Sequence, residues 1–324
     1  MKYIQYFLIL LLIPVTQSFA QSSDQETFSG IEEIIVTARK KEEPLQETPV
    51  TITALTDAKI QKLYATDLQD LGMSVPNLLI NTAASGSFTN SAAVFMRGIG
   101  NSDIDSTIDP PIGIFLDGVY VPRSSNSNLD LFDVEQVEVL RGPQGTLFGR
   151  NTTAGAIVVR SKRPTGEFGA KARLTMGEYG RRDLRLAVES PLSDTVNAKI
   201  SILQQKSDGF FKAKYQTHPD YSVPAQMSYD YDGDYEDTGG DDVFSVRPML
   251  EFNPSETFKL TLIGEYSKDR SQPIPATNAS KPNQVLSKVY GRPGTGYQSN
   301  VILNFGPGYI HADIKGLTAE AIWE

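Results

Sequence analysis

From residue 168 onward, apolar and polar positions alternate one by one. Ala172, Leu174 and Met176 stand against Lys171, Arg173 and Thr175, and Leu184, Leu186 and Val188 against Arg185, Ala187 and Glu189. The same period returns where Phe258, Leu260, Leu262 and Tyr266 face away from Lys259, Thr261, Ile263 and Glu265. A period of two is that of a strand with unlike faces. It predicts six strands, at 168–178, 182–190, 196–206, 243–252, 257–268 and 310–324. Their connections alternate as well: 191–194 and 253–256 are short turns, while 207–242 and 268–308 are long and polar. A soluble sandwich turns its apolar faces together. A transmembrane barrel turns them to lipid, lines its lumen with polar side chains, and has short turns at one rim and long loops at the other. The connections favour the second arrangement, so 166–324 reads as the first antiparallel strands of a transmembrane β-barrel. If the barrel is of the plugged kind, which has about 22 strands, most of its wall is missing here. The barrel is therefore expected to be incomplete in this chain, and an open sheet would leave edges that lipid does not tolerate.

Between 44 and 165 the texture is that of a compact α+β domain. Residues 50–54 read as a strand, Thr56 and Asp57 cap a helix through Leu63, and 67–71 begin a further turn of helix that Gly72 and Pro76 end. Strands follow at 94–98, 113–119 and 136–140, with Asp117-Gly118 as a hairpin turn. Residues 81–90 and 101–109, rich in Ser, Thr, Asn, Asp and Gly, read as loops. The passage from one texture to the other runs from Glu135 to Ile157: Val137 and Val139 point one way and Glu138 and Leu140 the other, and then Gly142, Pro143, Gly145, Gly149 and Gly155 break the strand into a folded loop. Upstream, residues 31–40 form a short β-prone run centred on Ile34, Ile35 and Val36. Such a run suits addition to another protein's sheet, and equally an ordinary first strand.

The first twenty residues are of another kind. Lys2 begins a short positive region, 4–15 is apolar apart from Gln5 and Pro14, and Ser18 and Ala20 place small residues before a cleavage site. This is the pattern of a secretory signal peptide at 1–20; a spanning helix would need roughly 20 apolar residues. Composition then removes several classes of function. A net charge of −9 argues against a nucleic-acid partner, and with no cysteine there is neither a disulfide framework nor a thiolate zinc site. The glycines of 142–155 do not form a phosphate loop, because no Lys follows Gly149. The acidic run 230–237 lacks the glycine position of a calcium loop, and His218 and His311 have no metal-ligating neighbours. No nucleophile and base fall together, so no enzyme and no cofactor are expected. Tyr215, Tyr221, Tyr229, Tyr231 and Tyr235 suit either a solute-binding surface or an aromatic girdle.

Four motifs then bear on the family. Glu33-Ile34-Ile35-Val36-Thr37-Ala38 resembles a TonB box. The runs from Phe95 to Gly100, Phe115 to Tyr120 and Val139 to Gly149 resemble the plug motifs of TonB-dependent outer-membrane receptors, and they occur in that family's order. The resemblance implies signal peptide 1–20, a segment 21–43 carrying the box, a plug at 44–165, and barrel strands after it. It implies a receptor in the cell outer membrane that takes a scarce, bulky solute, with a ferric siderophore or similar chelate as the leading class, into the periplasm. The energy would come from TonB, pairing with 33–38. Outer-membrane lipid and the solute complete the list of partners. Arg97, Glu135, Glu138, Arg141 and Arg150 are the charges expected to meet Lys171, Arg173, Arg185 and Glu189 of the wall across a hydrated contact, weak pair by pair. Gly98, Gly118, Gly142, Gly145, Gly149 and Gly155 are expected to serve backbone conformation, through positive φ or close approach. The competing readings are a surface adhesin or passive porin-like barrel, and a truncated receptor fragment without function.

Overall fold

The computed structural model describes residues 34–37, 40–82, 91–102, 108–122, 127–215, 235–272, 301–304 and 311–323. The expected signal peptide, Glu33 and Ala38 of the box, His218, and Tyr221, Tyr229 and Tyr231 lie outside them.

A mixed sheet forms the centre of the N-terminal domain. Its strands are β1 (Ile52–Thr56), β2 (Ile112–Leu116), β3 (Val119–Val121), β4 (Val134–Arg141) and β5 (Gly155–Ser161), in the order β1-β4-β5-β2-β3. Every pair is antiparallel except β5 with β2. Both faces of the centre are covered. Val137, Val139, Ile157 and Val159 pack with Leu55, Ile60, Leu68 and Leu71, while Leu140, Ala156 and Val158 pack with Phe115 on the other side. That two-sided burial is why β5 is apolar from Ala156 to Val159, while β4 carries the polar Gln136 and Glu138 among its apolar residues. The helix α1 (Asp57–Lys62) follows β1 directly, with Leu63 as its C-terminal cap. α2 (Leu68–Leu71) is capped by Asp67, whose side chain accepts from Asp70 N–H.

Two expectations change here. Gly72 is the C-cap of α2 as expected, but its backbone stays right-handed helical, so the chain runs on through a 3-10 turn, Gly72–Ser74, before it leaves the helix. A Cβ on Gly72 would stand 3.2 Å from Ile80 N, so the glycine is there to let Leu78–Asn81 approach. The expected strand at 94–98 is shorter, Ala93–Met96, because Arg97 (φ 51°) and Gly98 (φ 80°) turn the chain back into Ile99–Gly100. Asp117 (φ 47°) and Gly118 (φ 79°) make the same kind of two-residue turn between β2 and β3. Positive φ at both positions is the hairpin geometry that follows strand twist.

The second sheet is a meander of six antiparallel strands: β6 (Gly169–Met176), β7 (Arg182–Ser193), β8 (Val196–Lys206), β9 (Asp242–Ser255), β10 (Phe258–Asp269) and β11 (Ala312–Trp323). The faces divide as the alternation predicted. Leu174, Leu184, Leu250, Leu262 and Leu317 are exposed, and Asp183, Arg185, Lys199, Glu251 and Thr261 are buried. Pro191 and Pro254 stand within strands, leaving turns at 194–195 and 256–257. The long connections are not wholly irregular. Phe211–Tyr215 pairs with both Tyr235–Thr238 and Val301–Asn304. Among the described residues no helix is long and apolar enough to cross a membrane, which says nothing about strands.

Candidate functional site

Two features meet on the N-terminal domain. The first is the docking of residues 35–37, within the run expected to be the box. Ile35–Val36 pairs antiparallel with Glu43–Pro44, with Val36 fully buried and Ile35 39% exposed. Two neighbours on one face of β4 hold it. Gln136 Nε2 donates to Ile35 O at 3.0 Å and to Glu138 Oε1 at 3.0 Å, and Thr37 donates to the same Oε1 from its N–H at 2.8 Å and its hydroxyl at 3.1 Å. Three donors thus converge on one oxygen of a buried carboxylate, while Oε2 has no hydrogen-bond partner among the described residues. Burial pushes the Glu138 carboxyl above its ordinary value, and the Thr37 and Gln136 hydrogen bonds offset only part of that. Only side chains join the segment to β4, so it can leave the central sheet without breaking that ladder; its main-chain pairing is with Glu43–Pro44.

The second feature is a set of ion pairs joining this domain to the polar face of the meander. Lys171 on β6 lies 3.8 Å from Asp57. Arg185 on β7 donates to Asp130 at 2.7 Å, and Lys199 on β8 reaches Asp133 at 2.7 Å. Arg247 on β9 pairs with Asp117 and donates to Ser161 Oγ, while in the opposite sense Arg163 meets Glu320 of β11 at 2.5 Å. Each of four successive strands therefore offers one cation to an aspartate of the domain inside. Burial raises the Asp117 carboxyl, but Arg247, the Ser161 N–H and Arg163 outweigh it and hold the group below the usual carboxylate range. The Asp130 and Asp133 segment immediately precedes β4, and Asp117 caps the β2–β3 turn, so the contacts grip the sheet at its ends.

These pairs replace the expected ones. Glu138 binds the box segment, Glu135 meets Arg160 at 3.8 Å, Arg141 donates to Thr53 Oγ1 at 3.1 Å and Pro76 O at 3.4 Å, and Arg150 meets Asp109 at 3.6 Å. Arg97 is taken up in its turn, with its guanidinium beside Gly142. The partners of the first four lie in the N-terminal domain itself, not on the six described wall strands. Of the wall residues expected there, Glu189 accepts from Thr165 N–H and Arg173 lies over the Phe132 ring. Nor is the contact hydrated at every pair: Arg185 is 1% exposed and its Nη2 has no hydrogen-bond partner among the described residues. Among the glycines, 98, 118, 142 and 149 have positive φ, and a Cβ on Gly155 would come within 2.4 Å of Leu140 O. Gly145 departs from the expectation; it opens the short helix α3 (Gly145–Phe148) with free space around it. No group of His, Asp and Glu among the described residues is placed to hold a metal ion.

A plug gripped by the polar face of an antiparallel wall defines a class: the fold is that of a TonB-dependent receptor, plug domain first and barrel strands after it. Residues 44–156 match the family model described as the TonB-dependent Receptor Plug Domain. Over 165 residues the chain is 30% identical to the catecholate siderophore receptor Fiu of Escherichia coli K12, covering 51% of this chain and 20% of Fiu. Over 304 residues it is 24% identical to the vitamin B12 transporter BtuB of Vibrio vulnificus CMCP6, covering 90% of this chain and 48% of BtuB. The crystal structure of FyuA, the ferric yersiniabactin uptake receptor of Yersinia pestis, matches with a TM-score of 0.64 at 20% identity, over 85% of this chain and 38% of FyuA. That last likeness is one of fold. The chain spans half or less of the length of each of these proteins.

Proposed function

We propose that the chain belongs to an outer-membrane receptor that carries a scarce, bulky solute into the periplasm, driven by TonB acting on residues 33–38. The observation that supports this reading is the docked segment, a short strand joined to the plug sheet only by the Gln136 and Glu138 side chains and paired over just two residues with Glu43–Pro44, which a partner's sheet edge could replace. An iron chelate is the proposed solute class, in keeping with relatives named as a catecholate siderophore receptor and a ferrioxamine B receptor. Export through a signal peptide at 1–20 and a wall facing outer-membrane lipid with Leu174, Leu184 and Leu262 belong to the same proposal. A passive pore or adhesin has no use for a docked strand on its plug.

Replacing Ile35 by Pro tests it. Proline lacks the main-chain donor that strand addition to a partner needs. Energised uptake should be lost while solute binding at the cell surface persists; unimpaired uptake would remove TonB from the mechanism.

A further inference from the structure

The outward face of the wall changes character at one end. Gln205, Val243, Ser267 and Ile314 line a cavity of about 370 Å³ between plug and wall, so their strand neighbours point the other way. On that outward face Phe258 of β10 stands opposite Trp323 of β11, with the rings 6.0 Å apart, and Tyr266 stands opposite Lys315. Phe244 of β9 lies 6.4 Å from the Tyr266 ring. The two aromatic pairs bound the apolar stretch that holds Leu260, Leu262 and Leu317. About eight residues separate them along β10, roughly 26 Å of strand. At a tilt of about 40° that is ~20 Å of height, against a lipid-facing band about 25 Å tall in such barrels. Tyr266 and Lys315 therefore stand where hydrocarbon gives way to headgroups. From that level to the rim of the long connections the face is basic. Lys206 and Lys268 each lead into a long connection, Arg182 stands directly opposite Lys206, and Arg270 follows β10. Lys315 lies 6.0 Å from the Tyr266 ring and is a diagonal neighbour of Lys268, whose direct partner is Asp313. Two carboxylates stand among these cations: Asp242 meets Lys206 at 3.5 Å, and Asp313 accepts from Arg270 Nη2 at 2.8 and 2.7 Å. Arg182, Lys268 and Lys315 are exposed and have no ion pair among the described residues. Like charges opposite each other destabilise a sheet, and an anion seated between them removes that cost.

We propose that this rim binds a lipid of the outer leaflet whose headgroup carries phosphate monoesters, with Lys268 and Lys315 closing on one phosphate. The proposal rests on the lipid-facing wall given above and is independent of the solute. Diagonal neighbours across an antiparallel pair stand about 7–8 Å apart, a separation from which two flexible lysine ammoniums reach oxygens of the same phosphate. The long connections face outward in a barrel, which places these residues in the outer leaflet. Tyr266 and Phe244, one step below, offer ring faces at the start of the acyl chains. A zwitterionic headgroup brings its own cation to the rim and leaves the excess positive charge unmatched; a phosphorylated sugar headgroup does not.

Lipid retention tests it. The receptor in detergent micelles is titrated with a diphosphorylated glucosamine-disaccharide lipid, and separately with the same lipid stripped of its phosphates, and bound lipid is counted by native mass spectrometry. A basic residue beside an anionic lipid surface is worth about fivefold in affinity. The parent should therefore hold the phosphorylated lipid at least about tenfold more tightly than the stripped one, and Lys268→Gln with Lys315→Gln should weaken it about twenty-fivefold. Binding of the stripped lipid should not change. Lys268→Arg with Lys315→Arg should keep most of the parent's affinity, and Asp313→Asn, which removes a repelling carboxylate, should raise it; a damaged wall would give neither result. Lys59→Gln with Lys62→Gln takes the same charge from α1 and should leave retention as it was. Equal affinity for the two lipids, or a double glutamine variant that binds like the parent, overturns the proposal. So does release of the lipid by millimolar inorganic phosphate, which would mark a site for the free anion. The heat-dependent gel shift of the folded barrel, run on the same samples, keeps the two readings apart. Loss of the shift in the parent counts against the lipid-facing wall itself, and an intact shift without lipid selectivity counts against this site alone.

Discussion

Glu138 carries more of the plug's behaviour than its place in a strand suggests. It is a buried carboxylate with one oxygen saturated and the other unpaired, so the docked state binds it at a desolvation cost. Because burial raises its pKa in the docked state, docking is favoured where the group is protonated and loses that contribution as pH rises from the ordinary carboxylate range through the raised value. Glu138→Gln keeps a carbonyl oxygen for Thr37 and should abolish this dependence while preserving docking. Glu138→Ala strips Thr37 and Gln136 of their acceptor and should weaken docking by about 1–3 kcal/mol. A spin label at position 35 distinguishes them: mobile with Ala at 138, immobile with Gln, and pH-sensitive only in the parent. The glycines of the same motif make a second residue-level contrast. At Gly155 an added Cβ meets backbone at Leu140 O as well as Met96 Sδ, so Gly155→Ala should cost about 1–3 kcal/mol. At Gly145 nothing stands in the way and the residue is helical, so Gly145→Ala should be neutral or stabilise by about 0.5–1 kcal/mol. Urea midpoints of the two variants, side by side, check both signs.

At the scale of elements, what could be read in the chain was whatever depends on local pattern. The six wall strands and the sign of their faces follow from period-two alternation, and Asp117-Gly118 announces its turn by composition. The Arg97 turn was hidden because arginine is not a residue that advertises positive φ. The partners of the plug charges were hidden for a different reason. They are set by which residues of distant segments reach the same height on the wall, as when Asp130 meets Arg185 and Asp117 meets Arg247, and no spacing in the chain encodes that register. A trace was present all the same, in the cation that recurs on the polar face of β6, β7, β8 and β9. The apolar face gives the element-level prediction. Leu262→Arg on β10 should destabilise membrane insertion by about 2–4 kcal/mol if that residue stands near the bilayer midplane, whereas Ser267→Arg, on the cavity side of the same strand, should leave insertion nearly intact. Folding into lipid vesicles, followed by the heat-dependent gel shift of barrels, separates the two.

For the whole molecule, the ion pairs that fasten the plug to the six described strands are individually costly to break unevenly. Asp117 is the sharpest case, since it is nearly fully buried, accepts from the Ser161 N–H at 2.9 Å, and has Arg247 as its close cation with Arg163 only at 4.0 Å. Arg247→Met leaves that carboxylate buried without its main partner, and such a change costs about 3–5 kcal/mol. Asp117→Asn alone keeps the positive-φ turn, which Asn tolerates, but leaves the Arg247 charge stranded. Together the two changes remove the charge from both sides, so the pair should lie well below the sum of the single losses in a double-mutant cycle measured by urea release of the plug. The pH response supplies an independent reading. A carboxyl held below its ordinary value contributes stability that is complete above that ordinary value and fades as pH falls through the lowered one. The parent should therefore lose plug retention in that acid window, and the doubly neutral variant should lose distinctly less. Equal acid sensitivity in both would mean that Asp117 does not fasten the plug through its charge, and that the grip resides in the Lys199, Arg185 and Arg163 contacts instead.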